Sequence, residues 1–234
     1  MRRICFATGN LYRLIGKCDV MDLISRLDID GVEYTYGKTL AERPLREKDF
    51  DILNNYSQVS FHSPFRFSRF ELSKNEFKSQ FHKIESDYFR VNAKGLVTHP
   101  TQVLDKIPSK INFLTENLNP KKSKPRPRLG FEKVLNANPD YGLCLDVNHA
   151  YDWSKVETAR IVKKWSNRIK QIHLSNNRFG KDHLTFEKIN KSFIKSIEPI
   201  LELDVPIIIE EDMHYTKITE IKAEVKRVKE ILGF

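Results

Sequence analysis

The chain has 234 residues, of which 40% are hydrophobic and 30% are charged, and its formal net charge is +9. This length suits one large α/β domain or two small ones, and the composition excludes a disordered chain. No apolar run approaches the ~20 residues that span a bilayer, and the start MRRICFATGN lacks the apolar core of a signal peptide. Three widely spaced cysteines argue against a disulfide framework. We therefore expect a cytoplasmic protein without membrane contact.

The excess of Lys and Arg over Asp and Glu favours a polyanionic partner, such as nucleic acid or a phosphorylated small molecule. The alternative is a general Lys-rich bias, with the charges spread over outer helix faces. The net charge of a chain gives information about the partners it associates with, and none about its fold.

Eight short β-branched or apolar segments predict β-strands along the chain. They lie at residues 4–8, 32–37, 59–64, 96–100, 111–117, 141–147, 170–175 and 205–211. Most of the segments between them have apolar residues at helical spacing, at 20–27, 72–91, 156–169 and 218–232. The helix between the fourth and fifth strands is predicted to be short, near 101–107, and residues 41–56 are weakly helical.

Strands that alternate with helices in this number predict one (β/α)₈ TIM barrel, a single domain over residues 1–234. A doubly wound open sheet would show fewer strands and a glycine-rich first turn. The nine glycines form no GxGxxG motif and no P-loop motif, so the sequence does not favour a nucleotide-binding fold.

Ionisable side chains follow the predicted strands at the point where each strand ends. They are His62, His99, Glu116, Asp146 with His149, His173 with Asp182 and His183 in the next loop, and Glu210 with Glu211. In a TIM barrel, the carboxyl ends of the strands and the loops after them form the active-site face. Imidazole and carboxylate groups together suit Zn²⁺, Mn²⁺ or Fe²⁺. The pattern therefore predicts a divalent metal centre at the barrel mouth.

Each of these residues also has a structural interpretation when it is taken alone. A single His at a strand end is commonly a hydrogen-bonded structural residue, Asp146 is a possible helix N-cap, and Glu211 is a possible solvated loop charge. A metal centre has the advantage that it explains six or more positions together. We expect His82 and His214 to be structural.

The ordered motifs FHSP, VTHP, LTEN, LDVNHAYD, IHLSNN…DHL and IIIEE resemble those of the xylose-isomerase-like TIM-barrel superfamily. That superfamily contains AP endonuclease family 2, the endonuclease IV type of abasic-site DNA endonuclease, together with many sugar and sugar-phosphate isomerases and epimerases. The resemblance covers about residues 59–212 and is strongest at the D-x-x-H motif and at the later H-L and E.

The endonuclease resemblance implies up to three metal sites. They would be formed by His62, His99 and Glu116; by Glu116, Asp146, His173 and Glu210; and by His149 with a D-x-H pair supplied by Asp182 and His183. The isomerase branch implies one metal held by the second set alone. The presence of His62 and His99 therefore favours the endonuclease branch. The resemblance implies one to three ions, Zn²⁺ first, with Mn²⁺ or Mg²⁺ as alternatives.

Two segments depart from the endonuclease pattern. The D-x-H motif is replaced by Lys181-Asp182-His183, which puts a lysine where the Asp of the third site is expected. The glycine-rich loop after the fifth strand is replaced by PKKSKPRPRLG, whose cations are Lys121, Lys122, Lys124, Arg126 and Arg128. Clustered cations beside a metal site would attract phosphate, and a solvated surface loop is the alternative.

The leading hypothesis is a metal-dependent phosphodiesterase that acts on abasic or damaged DNA. A hydroxide that bridges two metal ions would attack phosphorus, with Glu116 and Glu210 as the catalytic carboxylates. The alternative is a sugar or sugar-phosphate isomerase or epimerase, in which Glu116 and Glu210 form the acid/base pair. A third possibility, based on Lys181, is a barrel that binds its ligand without turnover. The expected partner is DNA or a phosphorylated sugar, with no obligate protein partner.

Overall fold

A computed structural model of the chain describes residues 3–14, 19–67, 72–100, 109–120, 130–178, 181–215 and 217–234. The strands are β1 (Ile4–Ala7), β2 (Gly31–Thr35), β3 (Gln58–His62), β4 (Gly95–Thr98), β5 (Phe113–Glu116), β6 (Gly142–Asp146), β7 (Ile169–Leu174), β8 (Asn176–Arg178), β9 (Lys181–Leu184) and β10 (Ile207–Ile209). The helices are α1 (Val20–Ile24), α2 (Glu47–Asn54), α3 (Lys74–Arg90), α4 (Gly130–Ala137), α5 (Val147–Trp153), α6 (Glu157–Trp165), α7 (Lys191–Ile197) and α8 (Ile218–Leu232).

Eight of the strands are parallel and close into a barrel in the order β1-β10-β7-β6-β5-β4-β3-β2. Closure is made where β1 pairs with β10, in a register that sets Ile4 opposite Ile207. The predicted (β/α)₈ barrel is confirmed, and each of its eight strands overlaps a predicted segment. The antiparallel hairpin of β8 and β9 is an addition to the barrel that the sequence did not predict.

The helices predicted from apolar spacing are present as α1, α3, α6 and α8. The longest of them, α3, begins with a capping box in which Ser73 and Glu76 satisfy each other's backbone N–H groups. The weakly helical region contains α2, and α5 is the helix for which Asp146 was the possible N-cap, whereas the short α4 and α7 were not predicted. The segment near 101–107 lies outside the described residues. No helix in the described part of the chain is long and apolar enough to cross a membrane.

Side chains on alternate positions of the strands enter two different environments. Leu143 and Leu145 of β6 belong to the large apolar core that joins the barrel wall to the helices. Cys144, between them, packs instead with Val97 and Leu114 in a small separate cluster inside the barrel. This alternation follows from strand geometry, and it directs the next inward positions, at the strand ends, toward the barrel mouth.

The approach of β2 to β3 depends on a glycine. A Cβ atom at Gly31 would lie 2.1 Å from the carbonyl oxygen of Gln58, so no larger residue fits without displacing the backbone. Two residues later, on the same side of β2, Glu33 enters the barrel and is 1% exposed. Gly31 therefore allows β2 to lie close to β3, on the same side of the strand as the buried Glu33.

Candidate metal centre

Three groups of His, Asp and Glu side chains meet at the carboxyl ends of the barrel strands, each with its ligand atoms within 4.8 Å of one another. The first cluster is His62, His99 and Glu116; the second is Glu116, Asp146, His173 and Glu210; the third is Asp146, His149 and His183. Glu116 belongs to the first and second clusters, and Asp146 belongs to the second and third. Two shared carboxylates therefore join the clusters into one centre.

In the first cluster, both imidazoles direct a ring nitrogen at Glu116. His99 Nε2 lies 3.0 Å from Glu116 Oε2, and His62 Nε2 lies 3.7 Å from the same oxygen. His62 Nδ1 lies 2.9 Å from the carbonyl oxygen of Ser63, to which it donates. Because Nδ1 is held there, the other ring nitrogen, Nε2, faces the cluster and would offer its lone pair to a cation once it has lost its proton.

The second cluster has the largest concentration of carboxylates. His173 Nδ1 lies 3.2 Å from Glu116 Oε1 and 2.9 Å from Glu210 Oε2. Glu210 follows β10, and its backbone N–H donates to Leu174 O at 2.9 Å, which continues the pairing with β7 beyond the regular strand. Backbone pairing therefore holds the two side chains at adjacent strand ends.

Asp146 has two roles, one for each carboxylate oxygen. Oδ1 accepts from the backbone N–H of His149 at 2.7 Å and caps α5. The backbone of Asp146 is clamped in turn by Asn117, whose side chain donates to Asp146 O and accepts from Asp146 N, each at 2.8 Å. The predicted N-cap and the predicted ligand are thus compatible, because capping leaves Oδ2 for the cluster.

The third cluster combines Asp146, at the end of β6, with one histidine from a helix and one from a hairpin. His149, in the first turn of α5, places Nδ1 2.9 Å from Asn117 O and 3.1 Å from Asp146 Oδ2. His183, in β9, donates from Nδ1 to the carbonyl oxygen of Glu210 at 3.1 Å. Its backbone φ is 54°, a strained value for a non-glycine residue.

The structure does not bring Asp182 into the third cluster with His183. Asp182 Oδ2 accepts a hydrogen bond from Asn119 Nδ2 at 2.9 Å and lies 4.0 Å from His183 Nε2. Lys181 is exposed. The described ligands of this cluster are therefore Asp146 and the two histidines.

Two other sequence expectations have clear outcomes. Glu211 is 2% exposed, so the interpretation as a solvated loop charge is wrong. Burial raises the pKa of Glu211 well above its ordinary value, with Glu187 adding to the effect. His82 and His214 are exposed and belong to none of the three clusters, as expected for residues without a ligand role.

The pKa shifts of Asp146 and Glu116 show that it is costly to bury these carboxylates close together. Burial raises the pKa of Asp146 well above its ordinary value, and the nearby Glu116 and Glu210 raise it further. Burial also acts to raise the pKa of Glu116, but hydrogen bonds from His173, His62 and His99 outweigh it and lower that pKa well below the usual range. Buried like charges at this separation are costly unless a cation compensates them.

The residues present fit divalent metal ions. Asp146 Oδ2 and Glu210 Oε2 are buried and have no hydrogen-bond partner among the described residues. Both are carboxylate oxygens with lone pairs that a cation would accept. Mixed nitrogen and oxygen ligands without thiolate suit Zn²⁺ or Mn²⁺.

The clusters form one wall of an open cleft of about 580 Å³. Two exposed aromatic rings also line the cleft, Tyr12 at 43% exposure and Phe65 at 51%. Phe65 stacks on His99 of the first cluster, with ring centroids 5.9 Å apart. Lys38 and Arg43 line the cleft as well. None of these four residues was identified from the sequence, because Tyr12 lies in the 3₁₀ helix Thr8–Leu14 and the other three in irregular segments, whose positions depend on the closed barrel.

Inside the barrel, directly below the second cluster, lies a polar group that sequence reasoning also missed. Glu33 Oε1 lies 3.1 Å from His173 Nε2, and Gln171 lies beside both residues. A single carboxylate within the apolar strand segment VEYTYG was the available signal. The predicted phosphate-binding cations Lys121, Lys122, Lys124, Arg126 and Arg128 lie outside the described residues, so their role stays a prediction.

No family model matches the chain, and no curated protein matches it by sequence. Solved structures match it over almost their whole length. A D-tagatose 3-epimerase-like protein has a TM-score of 0.67 at 18% identity, with 99% of this chain and 98% of that chain covered. A xylose isomerase domain containing protein from Salmonella typhimurium has a TM-score of 0.69 at 15% identity, covering 99% and 97%.

Endonuclease IV from Thermus thermophilus has a TM-score of 0.63 at 15% identity, covering 98% of each chain. The structural neighbours therefore include sugar epimerases and an endonuclease IV, the two branches that the sequence motifs resemble. Identities this low concern the fold. In fold, this chain is a (β/α)₈ TIM barrel similar to these solved structures.

Proposed function

We propose that this protein is a divalent-metal-dependent phosphodiesterase that cleaves DNA at abasic or otherwise damaged sites. The observation that carries the proposal is the joining of three ligand clusters through the shared carboxylates Glu116 and Asp146. Adjacent metal ions stabilise both the attacking and the leaving oxygen of an in-line displacement at phosphorus. Chemistry that needs one metal has no use for His62 and His99.

Divalent ions held in these clusters supply Lewis acidity and an activated water molecule for attack on phosphorus. The chain supplies the framework for that chemistry. Glu116, whose pKa is lowered by three histidines, stays anionic between the first two clusters. His62 and His183 donate from Nδ1 to backbone carbonyls, so in their neutral form the lone pair that could hold a metal ion is on Nε2. The two described cysteines are buried with raised pKa values, which makes a thiolate nucleophile unfavourable.

The cleft also has features that suit a nucleic acid. Lys38 and Arg43 provide positive charge in the cleft, within a chain of net charge +9. Exposed aromatic rings such as Tyr12 and Phe65 stack well on unpaired bases, and a damaged duplex exposes such bases at low cost. These features support a damaged-DNA substrate over a free phosphate ester.

The test is incision of a duplex oligonucleotide with one abasic site by purified protein supplied with Zn²⁺ or Mn²⁺. We expect cleavage beside the abasic position and none in the matched undamaged duplex. Glu116→Gln and Glu210→Gln should abolish it, whereas Glu202→Gln, an exposed site away from the clusters, should leave it unchanged. Absence of cleavage by metal-loaded wild-type protein would contradict the proposal.

A second candidate is a sugar or sugar-phosphate isomerase or epimerase. It is favoured by one observation: Glu116, Asp146, His173 and Glu210 form a complete four-residue site without help from the other clusters. A single ion there would polarise a carbonyl, while Glu116 and Glu210 move a proton between carbons. The epimerase-like structural neighbour adds support at the level of fold.

Two measurements separate the candidates. The isomerase predicts deuterium uptake from solvent into a ketose or its phosphate, and His62→Ala should leave that exchange intact. The phosphodiesterase predicts no such exchange and a requirement for His62 and His99. The exposed His82 supplies the control, since His82→Ala should be silent in both assays.

A further inference from the structure

Glu33 is a buried carboxylate for which the ligand clusters do not account. It is 1% exposed, in a layer of the barrel that bulky apolar side chains commonly fill. Its Oε2 accepts from Ser60 Oγ at 3.0 Å and from Gln171 Nε2 at 2.5 Å. Among the described residues, no Lys or Arg pairs with it. Burying a carboxylate without such a partner is costly, so its retention calls for a specific contact.

That contact is His173. Glu33 Oε1 and Oε2 lie 3.1 and 3.3 Å from His173 Nε2, on the side of the ring opposite the second cluster, and the hydrogen bond is to Oε2. Gln171 Nε2, which donates to Glu33 Oε2, lies 3.0 Å from the same ring nitrogen. The other nitrogen, Nδ1, lies 3.2 Å from Glu116 Oε1 and 2.9 Å from Glu210 Oε2. One imidazole therefore joins a buried carboxylate to the four-residue cluster. A metal-binding histidine whose second N–H is held by a carboxylate is oriented by it and becomes a stronger ligand.

We propose that Glu33 is a positioning residue for the metal ion of the second cluster, holding His173 with its proton on Nε2 and its Nδ1 lone pair directed at the ion. This inference rests on the metal-binding part of the proposed function. It goes further in that it predicts which ion is held most tightly. Glu33 does not touch substrate, and its effect is transmitted through His173.

The other cluster histidines with described contacts are held differently. His62 and His183 place Nδ1 against a backbone carbonyl oxygen, at 2.9 and 3.1 Å. His149 Nδ1 lies 2.9 Å from Asn117 O and 3.1 Å from Asp146 Oδ2, which is itself a member of the clusters. A neutral carbonyl raises ligand basicity less than a carboxylate does. The second cluster also contains three carboxylates, against one each in the first and third. The cation in the second cluster is therefore the first to bind and the last to leave.

The competing interpretation makes Glu33 and His173 a purely structural ion pair. In that case, removing the charge of Glu33 would change the stability of the fold without changing how metal is held. A measurement of metal affinity therefore distinguishes the two interpretations. Activity alone does not, because a loss of folding and a loss of metal look alike in an assay.

The experiment titrates metal-free protein with Zn²⁺ against a competing chelator, and repeats the titration with Co²⁺ to follow its visible spectrum. Wild type should show one tight site, and Glu33→Gln should weaken that site roughly 10- to 100-fold with an altered Co²⁺ spectrum. Glu33→Asp should recover part of the affinity. Ser60→Ala is the matched control, because it removes a Glu33 contact that does not include His173.

A folded Glu33→Gln protein with wild-type Zn²⁺ affinity and Co²⁺ spectrum would overturn the proposal. If the variant does not fold, the histidine tautomer in metal-loaded wild type decides, by imidazole ¹⁵N–¹H NMR. Coordination of His173 through Nδ1, with a proton on Nε2, is expected, and coordination through Nε2 would overturn the proposal. Wild type that binds metal but does not incise DNA contradicts only the proposed function, whereas wild type that takes up no metal contradicts both.

Discussion

The two histidine pairs on either side of the second cluster are mounted on different parts of the fold. His62 ends β3 and His99 follows β4, so both are fixed by the parallel pairing of neighbouring barrel strands. His149 lies on the seven-residue helix α5, and His183 lies on the separate hairpin with a strained φ of 54°. From this difference we expect the first cluster to be held more rigidly than the third, with the shared second cluster between them.

The largest effect is expected from removing Glu116, the residue that the first and second clusters share. Glu116→Gln keeps the size of the side chain but removes the charge that His62, His99 and His173 surround. We expect a loss of DNA incision on the order of 10³-fold, since metal ions contribute several kcal/mol to the transition state. Single-turnover cleavage measures it, with Glu202→Gln as the control. A loss smaller than tenfold would show that Glu116 does not act in the metal centre.

The second prediction concerns stability when metal is removed. Three buried carboxylates, Glu116, Asp146 and Glu210, lie within one cluster and repel each other unless a cation lies between them. Metal at 100 times its Kd should add about 2.7 kcal/mol. A chain of this length should then lose roughly 5–10 °C in Tm on chelation.

Calorimetry with and without EDTA measures this shift, and re-addition of Zn²⁺ should restore the Tm. The triple variant Glu116→Gln, Asp146→Asn, Glu210→Gln should show no response to EDTA, which serves as the control. An unchanged Tm in wild type would mean that the native state has no preference for metal.

The third prediction compares the two histidine pairs directly. His62→Ala should reduce incision roughly 10²-fold, because it opens the rigid cluster beside Glu116. His183→Ala should reduce it only about tenfold, since the third cluster holds its ion through fewer fixed ligands. His82→Ala provides the baseline. Equal losses in the two variants would mean that the hairpin positions its histidine as firmly as the strands do.

The same contrast explains how far the sequence alone predicts this centre. His62, Glu116, Asp146 and His173 were found because they end apolar strands, and strand parity with barrel closure brings such positions together. The hairpin was missed, since the segment from Asn176 to Leu184 lacks the alternation that marks a buried strand. Short helices such as α7 were missed because seven residues carry too little periodicity.

Glu33 and the cleft rim mark a different limit. The apolar character of β2 predicts a strand there. No feature of the neighbouring sequence predicts that Glu33 faces His173, which lies 140 positions away in sequence. That proximity is a product of barrel closure. Phe65 and Lys38 likewise line the cleft only because the segments after β3 and β2 meet above the mouth.

The last prediction asks whether one substitution can make the third cluster bind its metal ion more tightly. Lys181 stands two residues before His183 in β9, where the endonuclease pattern has the Asp of the third site. Lys181→Asp would replace that cation by a carboxylate. We expect metal analysis of dialysed protein to find one more retained equivalent than in wild type, because opposite charge and an added oxygen ligand would tighten the hold of the third cluster on its ion roughly tenfold.

Lys181→Gln is the matched control, since it removes the positive charge without supplying a carboxylate ligand. If the glutamine variant gains the same equivalent, then repulsion by Lys181 limits the third cluster and the missing ligand does not. If neither variant gains metal while both stay folded, the limit lies in the hairpin itself. The strained backbone of His183 would then be the cause. An ion bound by a residue of the β8–β9 hairpin must also offset the entropic cost of ordering that hairpin.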